Sequence, residues 1–545
     1  MCRFKRHAFS PPRFSLALLT LVAGCTVGPD FSPRPAPDIQ NLTPEPLKLR
    51  VAGGTGQRFV PAQDLPGEWW KLFRSPELTR LVEAGLRNNH DLRAAQAALR
   101  VARANYEAQR GGLFPVVGVG ETSSRQKVAT ADLASPTISG DAYYSLHTGQ
   151  LAISYVPDVF GGIRRQLEAA SAQADVQRFA LEATYLTLTT NIALAAIQEA
   201  SLNGQIAETK EAVRAFRILA AGEDYAPSFS ATGRDWAALR AAIGQAEQTI
   251  PLLKKQLVAQ RDLLIALTGR FPDAAQKEPP SIRLLQLPKD LPLMLPSQIV
   301  AQRPDVGAAQ ANLHAASALV GVAIANRIPL FNITGNIGRS SSQIGNLASP
   351  APQFLFWTIA GSVTQTIFDG FTLEQRQRAA EAGLDQAAEQ YESTVVTAFQ
   401  NVADVLQAIQ LDGESVGKAA AATRDAKENL CLTADAFAKG RVNNSEGKRA
   451  EILRQFDDWW VHVCQADAKH FREKTMPPDP DNAPSGIDVV TSEQLYLATR
   501  LTLVTTQAAQ YMDVVALFQA LGGGWWNRMD VEPQVLGAAT TPQAP

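Results

Sequence analysis

Of 545 residues only four are cysteine and six are histidine, and no run of about 18 uninterrupted apolar residues occurs. The first two shortages leave little room for a disulfide framework or a metal cluster. The third removes the usual signature of a bilayer-spanning helix. Charge of one sign is lacking as well. With 51 Lys and Arg against 53 Asp and Glu, the chain carries no global basic field for nucleic acid. Catalytic motifs are equally scarce: Gly-x4-Gly-Lys, HExxH and paired CxxC are all absent. Ser-x-x-Lys occurs at 415–418 and 445–448, without Lys-Thr-Gly or Ser-Asp-Asn partners, and reads as solvated surface. His462, Cys464 and His470 are of zinc-ligand type, but their spacing is loose. No enzyme activity, cofactor or metal is therefore expected. "GGGWW" (522–526) lacks the lysine of a phosphate loop and reads as chain punctuation with interface-seeking tryptophans.

What is present starts at the amino terminus. Arg3, Lys5, Arg6 and Arg13 precede the ten-residue apolar core "FSLALLTLVA", which is too short to cross roughly 30 Å of hydrocarbon. Residues 1–24 are expected to be a signal peptide. Small or apolar residues then lead into Cys25, a candidate lipidation site and the first residue of a mature, exported chain. Cys431 and Cys464 remain as an even pair in an oxidising compartment and form a candidate disulfide, although two distant cysteines carry no spacing signature.

The chain repeats itself. Shifted by 214 residues, 91–115 lies on 305–329 without a gap, and Asp91, Ala94, Ala95, Gln96, Ala97, Leu99, Ala102, Ala104 and Pro115 meet identical residues. Both copies run on into short, glycine-marked, β-leaning stretches. In 150–162, Leu151, Ile153 and Tyr155 alternate with small or polar residues; Trp357, Ile359 and Val363 do so in 356–370. Alternation with period two marks a strand with two different faces. The apolar set is expected to face lipid or an interface, and the small and polar set a lumen.

Proline-free, alanine-rich tracts follow at 163–222 and 372–440. A continuous helix over the first would extend on the order of 90 Å. Returning helices are expected at about 229–269, with a kink at Pro251, and at 487–521. Each half then reads helix, strand, strand, long helix, returning helix. Four strands cannot close a membrane barrel, which needs at least eight, and open edges are intolerable in lipid. If these strands lie in a membrane, several chains must then share one barrel. Three give twelve strands, and two give only eight.

With those residues in view, the chain resembles outer-membrane factors of the TolC type, in the lipoprotein branch serving resistance-nodulation-division (RND) efflux pumps. "LVAGCTVGPDF" resembles that branch's lipidation motif and mature start. Residues 68–99 resemble its first helix, "PDVFGGIRRQLEAASA" and "IFDGFTLEQRQRAAEA" its strand-to-helix corners, 295–338 the second repeat and "ALFQALGGGWW" the ending. The resemblance implies an α+β membrane protein, a homotrimer whose 12-stranded β-barrel continues into an α-helical periplasmic barrel. It implies as partners a periplasmic adaptor protein, an inner-membrane RND pump and outer-membrane lipid. It implies a passive exit duct for small molecules. The expected segments are the signal peptide 1–24, a lipidated segment 25–75, a first repeat 76–269, a linker 270–296, a second repeat 297–521 and a tail 522–545.

The chain departs from the family where its helices should converge. "FAKGRVNN" (437–444) places Phe437 where tyrosine is usual. "DVVTSEQ" (488–494) matches the family's first gate aspartate with Asp488 and puts Thr491 at the second. Between them stand 42 residues, 445–486, that the pattern lacks. Asp488 is the candidate periplasmic gate. Two rival expectations stay open, a similar channel for polypeptide secretion and a non-channel periplasmic structural lipoprotein.

Overall fold

The computed structural model describes residues 26–127 (except 36, 38, 40, 41, 44, 45, 54 and 55), 143–224, 233–273, 285–439, 463–464, 484 and 486–528. In chain order the elements are β1 (Arg58–Pro61), α1 (Pro76–Asn88), α2 (His90–Arg110), β2 (Val116–Lys127), β3 (Tyr143–Tyr155), α3 (Gly162–Asp224) and α4 (Gly233–Leu267). Then come β4 (Asp290–Leu293), α5 (Pro296–Gln302), α6 (Pro304–Ala325), β5 (Leu330–Ser341), β6 (Leu355–Thr364), α7 (Thr372–Lys439) and α8 (Gly486–Ala520). Two compact units result. The described parts of Met1–Pro35, Gln96–Ala180 and Gly307–Thr394 form one; those of Ala36–Ala95, Leu181–Val306 and Val395–Pro545 form the other.

The proline-free tracts become helices of 63 and 68 residues, α3 and α7. Alanine and long straight-chain residues lose little rotamer freedom in a helix, so nothing local interrupts them. Pro251 lies inside α4 and does not end it. By composition alone, α3 up to Ala220 and α6 each hold an 18-residue window apolar enough to cross a bilayer. Alanine supplies much of that hydropathy, which a search for uninterrupted apolar runs passes over.

The first unit holds one antiparallel sheet in the order β2-β3-β5-β6. Its strands turn into helices at two matching corners. At the first, Asp158 accepts from the amides of Ile163 and Arg164, each at 2.9 Å. At the second, Asp369 accepts from the amide of Leu373 at 2.8 Å. A carboxylate on the orphan N–H groups caps each long helix and complements its dipole. Gly161 (φ 78°) and Gly370 (φ 68°) make the left-handed turns these corners need.

The second unit is built on aromatic packing. Trp69, Trp70 and Phe73 are fully buried. The ring of Trp69 lies 5.5 Å from that of Phe518, and the ring of Phe73 lies 6.2 Å from that of Tyr511. The parallel pair β1–β4 joins the same unit. Here "GGGWW" finds its use. Gly522, Gly523 and Gly524 all have positive φ, and a Cβ on Gly524 would stand 2.6 Å from the carbonyl oxygens of Leu65 and Pro66. Trp525 is buried and donates to Gln302 O at 2.6 Å, while Trp526 donates to Asp64 at 3.0 Å. Trp525 therefore completes a protein core, which corrects the expectation that it seeks a membrane interface, while Trp526 lies half-buried at the edge of that core. Their indole N–H groups have protein acceptors, so they need no headgroup.

Candidate functional site

Strand register sorts the sheet into two chemically distinct faces. Val117 pairs with Ile153 and Val119 with Leu151; Leu151 also pairs with Ile337, and Ile337 with Trp357. Residues directly opposite each other share a face. Val117, Val119, Leu151, Ile153, Tyr155, Phe331, Ile333, Ile337, Trp357, Ile359 and Val363 thus form an apolar band on one face, which holds all six apolar residues picked out by alternation, and Glu121, Ser123, Arg125, His147 and Arg339 continue that face beyond the band. Val119, Ile359 and Trp357 are 84%, 76% and 69% exposed. The opposite face carries Gly118, Thr122, Gln150, Ala152, Ser154, Asn332, Thr334, Asn336, Thr358 and Ser362 along its middle, with Val116, Leu146, Leu330 and Phe356 toward the strand ends. Thr148 and Ser340 share a hydrogen bond of 3.2 Å across it.

An apolar surface this continuous calls for a hydrocarbon or protein cover. Among the described residues β2 pairs only with β3 and β6 only with β5, so both edges of the sheet are open. In lipid each unpaired backbone group costs several kcal/mol.

Cys25 lies outside the described residues, but the segment that follows it is held firmly. Val27 N donates to Phe160 O at 3.1 Å. Arg165, its side chain 5% exposed, spreads its guanidinium over Val27 O (3.1 Å), Gly28 O (3.3 Å), Asp30 (2.6 Å) and Glu168 (2.8 Å). Glu168 also meets His314 Nε2 at 2.8 Å, and the His314 ring stacks on Phe31 at 4.3 Å. Arg34 pairs with Glu392. Gly28 (φ 94°) sits so close to α6 that a Cβ would stand 2.4 Å from Gly321 Cα. Residues 27–34 thus strap onto α3, α6 and α7 at the corner where β3 becomes α3.

Within the second unit, the end of α3, the start of α4, the end of α7 and the start of α8 share a core. Phe216, Leu219, Leu239, Leu430, Phe437, Val489 and Val490 pack there around Cys431 and Cys464. The two cysteines are joined, with Cα atoms 6.1 Å apart. Most of the 445–486 insertion lies outside the described residues, as do His462 and His470; Val463 and Cys464 belong to this core. Asp488 lies exposed in the first turn of α8. There a carboxylate complements the helix dipole.

Farther along α8 the interface with α3 is charged. Arg500 pairs with Glu208 and lies 5.7 Å over the ring of Tyr496. Glu493 is 4% exposed, and its Oε2, like Oε1 of Glu211, is buried without a hydrogen-bond partner. Burial first, then the charges of Glu211 and Glu208, push the Glu493 carboxyl up to about 8, against the pull of Arg500. Between α7 and α8, burial and the neighbouring Asp513 push Asp412 up to about 7.

The cysteine pair was visible in the sequence as a candidate. The Arg165 hub and the Glu493 cluster were not. Asp30 and Arg165 are 135 residues apart, and Glu493 and Glu211 look like ordinary surface charges on helices. Gly28 within "CTVGPD" was the one local hint, since a glycine between extended residues often marks a close backbone approach.

Known proteins match this arrangement. The profile of the outer membrane efflux protein family covers residues 81–270 and 295–453. The pyoverdine export outer membrane protein OpmQ of Pseudomonas putida is 29% identical over 375 residues, 68% of this chain and 79% of that one. The solvent efflux pump outer membrane protein SrpC of Pseudomonas putida is 27% identical over 529 residues, 95% of this chain and 98% of its own. The solved outer-membrane channel OprN, 22% identical, has a TM-score of 0.73 over 92% of this chain and all of its own. A profile match across well over half the sequence, on a two-faced exposed sheet and paired long helices, settles the family: the chain belongs to the outer membrane efflux proteins.

Proposed function

We propose that three copies of this chain close one 12-stranded barrel in the outer membrane, which opens into a periplasmic duct made by the long helices. The observation that carries this is the sheet with one exposed apolar face, one polar face and two open edges. Joining β6 of one copy to β2 of the next satisfies every edge, and three copies give twelve strands, within the range of bacterial barrels. The apolar face then meets lipid, and the small and polar face lines water.

The duct serves small molecules, driven by an inner-membrane RND pump through a periplasmic adaptor. Relatives named for solvent efflux and pyoverdine export support a low-molecular-weight cargo. Cys25 carries lipid that anchors the mature chain, and the strap of residues 27–34 holds that anchor to the corner beneath the sheet. Asp488 narrows the path at the start of α8. Cys431 and Cys464 are oxidised after export, tying the insertion to the helix ends. The duct has no catalytic step: barrel and helices provide a polar route, and helix movement sets its width.

Drug and solvent susceptibility of a deletion strain tests this, repeated with each inner-membrane RND pump removed. Hypersensitivity that disappears as a difference when one pump is already missing is expected. Unchanged susceptibility with loss of a secreted polypeptide would replace the cargo assignment.

A further inference from the structure

We propose that Glu493 is the proton-binding residue of a latch between α3 and α8, closing the two helices when protonated and forcing them apart when ionised. The latch deepens the exit-duct reading, on which its consequence for flux rests; the claim about helix packing stands apart from it.

The geometry is that of a stripe against a stripe. Glu493, Tyr496, Arg500 and Val504 recur along one side of α8 at helical spacing. Against them α3 sets Gly204, Glu208 and Glu211. A Cβ on Gly204 would stand 3.2 Å from Val504, and Arg500 pairs with Glu208. Three carboxylates share one guanidinium. Arg500 is committed to Glu208, with Tyr496 OH at 3.4 Å from its other nitrogen. Glu493 and Glu211 are each left with a buried oxygen that no donor reaches.

The groups acting on Glu493 are Glu211 and Glu208 from α3 and Arg500 from α8. From α7, Asn429 and Thr433 hydrogen-bond Ser492, the residue before Glu493, and α7 carries Glu428 and Asp435 close to them. No described Lys or Arg other than Arg500 acts on Glu493. Two buried carboxylates without a second cation cannot both ionise cheaply, so one takes a proton. Glu493, the more deeply buried, is that one.

The direction follows from linkage. In the packed interface the Glu493 carboxyl is raised from 4.5 to about 8 by burial and by Glu211 and Glu208. When the helices separate, it returns toward 4.5. Closing therefore takes up a proton, is strongest below about pH 4.5, weakens as pH rises toward 8, and levels off above. Across that window the closing equilibrium falls by up to about tenfold per pH unit. A periplasm that acidifies would tighten these helices, and one that turns alkaline would ease them open.

Hydrogen exchange of the full-length detergent-solubilised protein, corrected for the intrinsic pH dependence of amide exchange, tests the latch. Amides of 204–215 and 489–504 should lose protection between about pH 5 and 8, with other helices unaffected. Glu493→Gln should abolish the slope and hold protection at its acid-side level. Glu211→Gln, which removes the neighbouring charge but leaves the titrating group, should keep the slope and move it to lower pH. A flat profile in the unaltered protein, or an unaltered slope in Glu493→Gln, overturns the proposal. Planar-bilayer recordings of the same samples test the duct separately: a present slope without conductance leaves the latch standing and removes the duct.

Discussion

Replacing Arg165 with Met keeps the volume of the side chain and removes every donor that Arg165 offers to the amino-terminal strap. Three bonds to the strap are lost: Val27 O at 3.1 Å, Gly28 O at 3.3 Å and Asp30 at 2.6 Å. A bond from a charged donor to a carbonyl is worth about 1.5 kcal/mol. The Asp30 side chain is 89% exposed, so its ion pair adds at most about 1 kcal/mol. The sum is about 3–4 kcal/mol of docking free energy, or two to three powers of ten in the population of undocked strap. Phe31 on His314, the Val27–Phe160 bond and the Arg34–Glu392 pair remain, so docking weakens without vanishing. The Glu168 carboxylate keeps His314 as a partner. Hydrogen exchange at the Val27 amide measures the change. Asp30→Asn should cost less than about 1 kcal/mol. Gly321→Ala, whose Cβ would stand 2.8 Å from Arg165 Cγ and 2.9 Å from Val27 O, should cost about 1–3 kcal/mol by overpacking. Protection in Arg165→Met within about threefold of the unaltered protein would refute the hub.

Ile359→Lys places a charge on the apolar face and should cost about 2–4 kcal/mol in a denaturant titration of refolding into lipid vesicles, whereas Thr358→Lys next to it should be tolerated. Equal effects of the two would reverse the face assignment. Cys431→Ser removes a link across 33 residues and should lower stability by about 3–4 kcal/mol in thermal melting, an effect reproduced in the unaltered protein by reductant. The Asp412 carboxyl, raised from 3.8 to about 7 by burial and by Asp513, prefers its proton in the folded state. Its contribution to stability is fully present below about pH 3.8 and is lost as pH rises to about 7, so Asp412→Asn should flatten the melting temperature over that range.

Regular elements were legible because their causes are local. Proline-free alanine-rich tracts predict 163–222 and 372–440, and the helices run Gly162–Asp224 and Thr372–Lys439. The alternation of Leu151, Ile153 and Tyr155 predicts a two-faced strand, and register then carries it across all four strands. What stayed hidden depends on distant residues meeting. Arg165 reads as one of two arginines in "GGIRRQ" and gives no sign that it, rather than Arg164, turns onto the strap. Glu493 sits in "TSEQ", a polar run that suggests solvent, yet helix rotation buries it against α3. Trp525 misled because an exported chain offers two homes for tryptophan, a membrane interface and a core, and only tertiary contact decides between them.

Native mass spectrometry of the full-length protein released from detergent measures the central claim, that three copies complete one barrel. A single species at three times the mass of the mature chain is predicted, dissociating when Ile359→Lys disrupts the shared wall. A stable folded monomer, or a dimer whose eight strands leave no open edge, would contradict it.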